Sequence, residues 1–177
     1  MYKYKIKRII DIFLSIIIFF VILIPLIVIL IGVKFETKKT VFFRQKRLGE
    51  NNRPFIILKI RTIYDKKSSY GNFLRKYSID ELPQIFNIIK GEMSLVGPRP
   101  EQPHLANFYK KNIENYEMRK SVLPGITGLA QVKGFRGNTS ITERIKLDII
   151  YIDKMSFIFD IKIIFLTIFG GFIDKNV

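Results

Sequence analysis

The chain has 177 residues, enough for one modest domain plus a membrane element. It contains no Cys and one His, His104, which excludes a disulfide scaffold, a Cys-based zinc site, a His-built metal site and a His-dependent triad. Lys and Arg total 30 against 15 acids, a net charge of +15 spread along the chain, and such a field favours nucleic acid, anionic lipid headgroups or phosphorylated small molecules.

Ile12 to Gly32 carries no charge. As a helix rising ~1.5 Å per residue it extends roughly 31 Å, enough for a bilayer core of about 30 Å. A cleaved signal peptide does not fit, because the run is too long and ends in Ile29-Leu30-Ile31-Gly32-Val33 rather than small residues. Pro25, in the middle, removes a backbone hydrogen bond and kinks the helix. Both flanks are basic: Lys3, Lys5, Lys7 and Arg8 before, Lys34, Lys38, Lys39 and Arg44 after. The positive-inside tendency then places both ends on the cytoplasmic side. Composition leaves two readings open, an ordinary spanning helix and a re-entrant one that bends at Pro25 and returns, with neighbouring protein shielding the bend. Asp11 follows Lys7 by four residues and Arg8 by three, and reads as an interfacial salt bridge on one helix face.

Val41 to Arg47 and Phe55 to Thr62 read as two short strands around the turn residues Gly49-Glu50-Asn51-Asn52. Lys46, Arg47, Lys59 and Arg61 either line an anion site or form the basic face of a plain hairpin. Gly71 to Tyr77 reads as a short basic helix. The spacing of Leu82, Ile85, Phe86, Ile88 and Ile89 predicts a helix with one buried face, stopped at Gly91.

Ser78-Ile79-Asp80-Glu81 matches a capping box, but Pro83 would then clash at the fifth helical position. Pro83 fits better as the first helical residue, with Asp80 and Glu81 just outside. The helix dipole there favours negative charge, whether the acids or a bound phosphate. Two acids at a helix start are also common as mere decoration.

In Ser94-Leu95-Val96-Gly97-Pro98-Arg99-Pro100-Glu101, two prolines fix the backbone around one Arg and pre-orient its fork for a carboxylate or phosphate. Leu123 to Gly128 and Gly134 to Thr139 are glycine-punctuated loops, suited to close ligand approach or simply to turning. Neither GxxxxGK[ST] nor GxGxxG occurs. Thr142 to Tyr151 is helical. Phe157 to Ile173 is apolar but interrupted by Asp160 and Lys162, and reads as an interfacial or core helix. The soluble part reads as one α/β unit without a regular βαβ rhythm.

Together these motifs resemble the bacterial sugar transferase family, the monotopic phosphoglycosyl transferases. The resemblance runs from Lys7-Arg8-Ile9-Ile10-Asp11 to the C-terminus. It includes Val41-Phe42-Phe43-Arg44-Gln45, Leu58-Lys59-Ile60-Arg61-Thr62, Asp80-Glu81-Leu82-Pro83-Gln84, Met93 to Glu101, Pro124 to Val132 and Asp160-Ile161-Lys162. It implies a mostly helical α/β compact catalytic unit over residues 37–177, with a short β-hairpin, behind a re-entrant, Pro-kinked membrane helix over 1–36. Members usually carry Ser before the kinking Pro, where this chain has Ile24. Larger members add membrane spans and a soluble domain, so this chain resembles the minimal core. Gly134 to Thr139 and the C-terminal stretch look most like members handling glucose or galactose 1-phosphate.

The resemblance further implies transfer of a sugar 1-phosphate from a UDP-sugar to undecaprenyl phosphate on the cytoplasmic face of the inner membrane, with UMP released. The step would initiate surface polysaccharide or glycoconjugate assembly and feed downstream glycosyltransferases. It assigns Asp80 as nucleophile and as a ligand of Mg²⁺, and Glu81 as either a general base or part of the metal shell. Lys59, Arg75 and Arg99 are the candidate phosphate contacts, and Arg136 faces nucleotide or sugar. Anionic membrane lipids and phosphorylated substrates account for the charge. Nucleic acid is not an expected partner, since no reader motif is present. The competing reading is a non-catalytic membrane scaffold for glycan-assembly enzymes.

Overall fold

The computed structural model describes residues 5–37, 39–64, 68–137 and 139–171. Lys3, Lys38, Asn138 and the chain beyond residue 171 lie outside them. Helix α1 (Lys7–Glu36) runs through Pro25 and, among the described residues, is the one helix long and apolar enough to cross a membrane. Pro25 has no N–H, so the Val21 carbonyl loses its usual helical partner. Around it Val21 and Ile24 are 72% and 74% exposed.

Both halves of α1 pack on the same unit. Leu14 and Phe19 lie against the main core, and Leu26 and Val33 are buried with Ile60 and Leu74 in a second cluster. Tyr70 donates to the Ile29 carbonyl at 3.3 Å.

The polar N-terminal turns of α1 dock inward. The Lys7 ammonium lies 2.6 Å from Asp160 and 3.8 Å from Asp11. Asp11 accepts from the Ser94 hydroxyl at 2.7 Å and the Leu95 N–H at 3.2 Å. The Tyr151 hydroxyl reaches Asp160 at 2.8 Å and the Val96 carbonyl at 3.0 Å. The expected interfacial salt bridge is therefore a buried network, because this face of α1 meets a strand rather than headgroups. Arg8 is not part of it. Its guanidinium donates to the Ile88 and Ile89 carbonyls at 2.6 and 2.9 Å.

Strands β1 (Phe42–Leu48) and β2 (Pro54–Ile60) form the expected antiparallel hairpin, with Phe42 opposite Ile60 and Leu48 opposite Pro54. Asn51 and Asn52 take φ of 51° and 60° in its turn, a region asparagine tolerates. Helix α2 (Ser69–Lys76) is capped by the Ser68 side chain. A 3-10 turn over Ile79–Gln84 leads into α3 (Ile85–Lys90). Only part of the predicted stripe on α3 is buried: Ile85 and Ile88 are inside, whereas Phe86 and Ile89 extend the apolar surface of α1. The Phe86 ring centroid sits 5.4 Å from that of Phe19.

Strand β3 (Ser94–Val96) pairs in parallel with β4 (Gly125–Thr127). Glycine permits this seam. A Cβ on Gly125 would fall 2.1 Å from the Gly97 nitrogen, and one on Gly97 would fall 2.5 Å from the Leu123 carbonyl oxygen. After β3 the chain forms α4 (Pro103–Asn112) and a 3-10 turn over Tyr116–Lys120, and after β4 it forms α5 (Leu129–Val132). Ser-capped α6 (Ile141–Lys154) and α7 (Phe157–Leu166) follow. The expected C-terminal apolar helix is α-helical to Leu166 and widens into a π-helical turn over Thr167–Gly171, while residues 172 and 173 lie outside the described residues.

Replacing Lys7 by Met leaves two buried carboxylates facing each other, and the fold should lose about 3–5 kcal/mol. Thermal unfolding in detergent should show that loss, and adding Asp160→Asn to Lys7→Met should recover part of it.

Candidate active site

Ser78 takes a left-handed conformation (φ 55°, ψ 22°) and makes no side-chain cap bond. The capping box is therefore not formed. Asp80, Glu81 and Pro83 all lie within the 3-10 turn, so the expectation that Pro83 opens the helix with the acids outside is corrected. A proline ring clashes with the carbonyl four residues back in an α-helix, and delaying the α-helix to Ile85 avoids that conflict.

The turn forms the floor of a cavity of about 640 Å³. Asp80 and Glu81 enter from the turn, Lys59 from β2, Arg75 from α2, Arg99 from the loop after β3, and Arg136 from the loop before α6. All six predicted site residues are thus brought together. The opposite wall is apolar, built by Leu14, Ile18 and Ile22 of α1 and by Ile161, Ile164 and Ile168 from the C-terminal segment. Among the hairpin cations Lys46, Arg47, Lys59 and Arg61, only Lys59 lines the cavity. Arg61 donates to the Thr40 carbonyl at 2.8 Å and Arg47 to the Pro100 carbonyl at 3.0 Å.

The two acids differ sharply. Glu81 is held by the Lys59 ammonium at 2.6 Å and by both terminal nitrogens of Arg99, one at 3.0 Å from Oε2 and the other closer still to Oε1. Burial alone would push the Glu81 carboxyl up. Arg99 and Lys59 outweigh it and hold Glu81 well below the usual carboxylate range. Glu81 in turn raises the Arg99 guanidinium. Asp80 is 8% exposed, and among the described residues no cation pairs with it within 4.0 Å. Burial pushes its carboxyl up to about 6, with the Lys59 charge opposing and the Glu81 charge adding.

Arg75 and Arg136 are anchored to local backbone while facing the cavity. Arg75 donates to the Thr62 carbonyl at 3.0 Å and to the Asn72 side chain; Arg136 donates to the Gln131 carbonyl at 3.2 Å. Sequence reasoning assigned no role to Thr127, Gln131 or the apolar wall. The Pro124 to Val132 motif marks the first two, whereas nothing local marks the wall, whose halves are far apart in the chain.

The donor set bears on metal binding. Among the described residues no three His, Asp or Glu side chains gather, and Asp80 is the cavity carboxylate not taken by a cation. That fits a divalent ion held by one carboxylate plus substrate oxygens and water, the manner in which magnesium is commonly bound.

Behind Arg99, the 3-10 turn over Tyr116–Lys120 carries buried charge. Arg119 lies 2.8 Å from Asp148 and 3.7 Å from Glu101. Among the described residues the buried Lys120 ammonium has no hydrogen-bond partner. Burial pushes it down to about 8, Arg119 adding to the effect and Glu117 and Glu101 opposing it.

Paired acids on one turn, a Pro-Arg-Pro loop closing on one of them and an apolar wall from α1 thus meet in one cavity. The chain belongs to the bacterial sugar transferase family, whose sequence profile matches residues 2–174. It is 42% identical over 189 residues to a UDP-glucose:undecaprenyl-phosphate glucose-1-phosphate transferase of Klebsiella pneumoniae, a match covering 96% of this chain and 41% of that protein. It is 41% identical over 149 residues to the uncharacterized sugar transferase EpsL of Bacillus subtilis, covering 77% and 72%. It is 38% identical over 153 residues to a UDP-N-acetylgalactosamine-undecaprenyl-phosphate N-acetylgalactosaminephosphotransferase of Aeromonas hydrophila, covering 77% and 36%. The chain thus spans well under half the length of the Klebsiella and Aeromonas relatives.

Glu81→Gln weakens the pairing of two half-buried cations and should destabilise the fold by about 1–3 kcal/mol. Asp80→Asn removes an unpaired buried carboxylate and should leave the melting temperature unchanged or higher. Parallel thermal melts of the two variants check this contrast.

Lys120→Met should stabilise the fold by about 2 kcal/mol at pH 7, raising the melting temperature by about 4–8 °C. The folded value lies below the ordinary 10.5, so the cost of burying the charge is full below pH 8 and fades as pH rises towards 10.5. The gap between variant and parent should close over that window in melts recorded against pH.

Proposed function

We propose that this protein transfers a sugar 1-phosphate from a UDP-sugar to undecaprenyl phosphate, releasing UMP, at the cytoplasmic face of the inner membrane. The observation that carries this reading is the cavity itself. A floor of acids and cations suited to a diphosphate meets an apolar wall built by the membrane helix, suited to a polyprenyl chain. The names of the Klebsiella and Aeromonas relatives support the same reaction with two different sugars. Glucose 1-phosphate is the transferred group to test first.

The Asp80 carboxylate attacks the β-phosphorus of the donor. An oxygen–phosphorus bond forms to Asp80, and the bond from that phosphorus to the bridging oxygen breaks. UMP leaves with the bridging oxygen, and the sugar phosphate stays on Asp80. A phosphate oxygen of the lipid then attacks the same phosphorus and displaces the carboxylate, giving the polyprenyl-diphospho-sugar. Two half-reactions let a soluble donor and a lipid acceptor use one cavity in turn.

The two acids suit different parts of this chemistry. Asp80 is free of a cation and more basic than an ordinary aspartate, yet still largely ionised at neutral pH. Glu81, saturated by Lys59 and Arg99, is a poor proton acceptor, so its role here is to hold those cations beside the donor's phosphates. Arg75 supplies a further phosphate contact, and Arg136 faces the nucleotide or sugar end. Magnesium is the cofactor we assign, with Asp80 as its protein ligand, and when bound it would neutralise the diphosphate charge.

The membrane reading is re-entrant. Both halves of α1 pack on one unit, exposed apolar residues run along the helix from Ile9 to Phe35, and Val21 and Ile24 beside Pro25 are among the most exposed of them. The exposure of Ile158 and Phe169, 80% and 73%, supports a C-terminal segment lying at headgroup level. The net charge of +15 attracts anionic lipids there. The lipid-linked sugar then passes to downstream glycosyltransferases for surface polysaccharide assembly.

The test is UMP release from a panel of UDP-sugars by detergent-purified protein with Mg²⁺ and undecaprenyl phosphate. The parent should turn over with ping-pong kinetics and favour one sugar, and Asp80→Asn should lose turnover at least ~10³-fold. Substantial release by the Asn variant would remove Asp80 as nucleophile. No release by a folded parent from any donor would favour a scaffold.

A further inference from the structure

Arg144, Asp148 and Tyr151 lie one turn apart on a single face of α6, and none of them lines the cavity. Each nevertheless reaches a segment that does, directly or through one other side chain. Arg144 donates to the Gly137 carbonyl at 2.8 Å, next to Arg136, and sits 3.6 Å from Glu101. The Tyr151 hydroxyl lies 3.0 Å from the Val96 carbonyl, where the loop carrying Arg99 begins. Asp148 pairs with Arg119 at 2.8 Å, and Arg119 donates to the main-chain carbonyl of Arg99, also at 2.8 Å.

Arg119 and Asp148 are each only 2% exposed. Burying such a pair is weak as a source of stability, and hydrophobic replacements often serve as well. The geometry gives it another use. The Arg119 guanidinium packs 5.5 Å from the Tyr116 ring centroid, and the terminal nitrogen that lies 2.8 Å from Asp148 is the one that donates to Arg99. A rigid donor is thereby aimed at the one backbone oxygen that belongs to Arg99.

We propose that Arg119, oriented by Asp148, is a positioning residue for Arg99. It fixes the main chain at Arg99 so that the guanidinium meets both oxygens of Glu81. The inference deepens the transferase reading and rests on it for its kinetic test.

Arg119→Lys keeps a charge beside Asp148 but is shorter and lacks the planar guanidinium that packs on Tyr116, so its donor is no longer held on the Arg99 carbonyl. The kcat for UMP release, corrected for folded protein by circular dichroism, should fall about 10–100-fold. The KM for the UDP-sugar should stay within about twofold. In an Arg99→Lys background the same substitution should change kcat by less than about twofold, because its route of action is already broken. Equal losses in both backgrounds would show general structural damage and overturn the proposal. A parent without turnover would instead count against the transferase reading, and a second readout covers that case. Amide hydrogen exchange across Gly97–Glu101 should quicken in Arg119→Lys, and unchanged exchange overturns the positioning role with or without activity. If Arg119→Lys does not fold, the isosteric Asp148→Asn takes its place in both measurements.

Discussion

The placement of one lysine ammonium between two buried carboxylates governs the rest of the molecule. Lys7, Asp11 and Asp160 come from opposite ends of the chain and meet out of water. Charges so buried are tolerated only where hydrogen bonds satisfy what the ion pair leaves over. Ser94, Leu95 and Tyr151 supply those bonds. The cluster thereby joins α1, β3, α6 and α7 at one point. Strand β3 runs from that point directly into the loop bearing Arg99. The long apolar helix and the loop that shapes the cavity therefore share one frame, and their relative placement is set by the fold.

Within the cavity, adjacency in sequence has been turned into contrast. Asp80 and Glu81 leave one 3-10 turn in different directions. One meets two cations and is fixed as an anion; the other meets none and is left more basic than usual. Environment rather than residue type separates the two, as burial and neighbouring charge act with opposite signs. The apolar wall sharpens the contrast by lowering the local polarity around Asp80.

Much of this was legible from residue order. The hairpin was marked by its turn chemistry, the long apolar helix α1 by its uncharged run, and the acids and cations that line one cavity by the family's motifs. The misreadings have physical causes. The stripe from Leu82 to Ile89 has helical period, but period does not say whether a face meets protein or lipid, and Phe86 and Ile89 turn towards the α1 side. Pro83 suits a helix start where α geometry is required, and a 3-10 turn escapes that constraint. The β3–β4 pair is short and parallel, joined across roughly thirty residues, and leaves no alternation to read. The Arg119–Asp148 pair was invisible because both residues look like surface charges, and only tertiary packing buries them.

The Lys7–Asp160 contact spans 153 residues of chain. At about 5–20 residues per second of synthesis, Asp160 leaves the ribosome roughly 8–30 s after Lys7. During that interval the apolar helix exists without the unit that will cover its polar face. Lys7 and Asp11 must stay hydrated while the segment beside them seeks an apolar phase. In the membrane setting proposed above, the headgroup region would meet both demands, and the rest of the unit would condense around an anchor already in place.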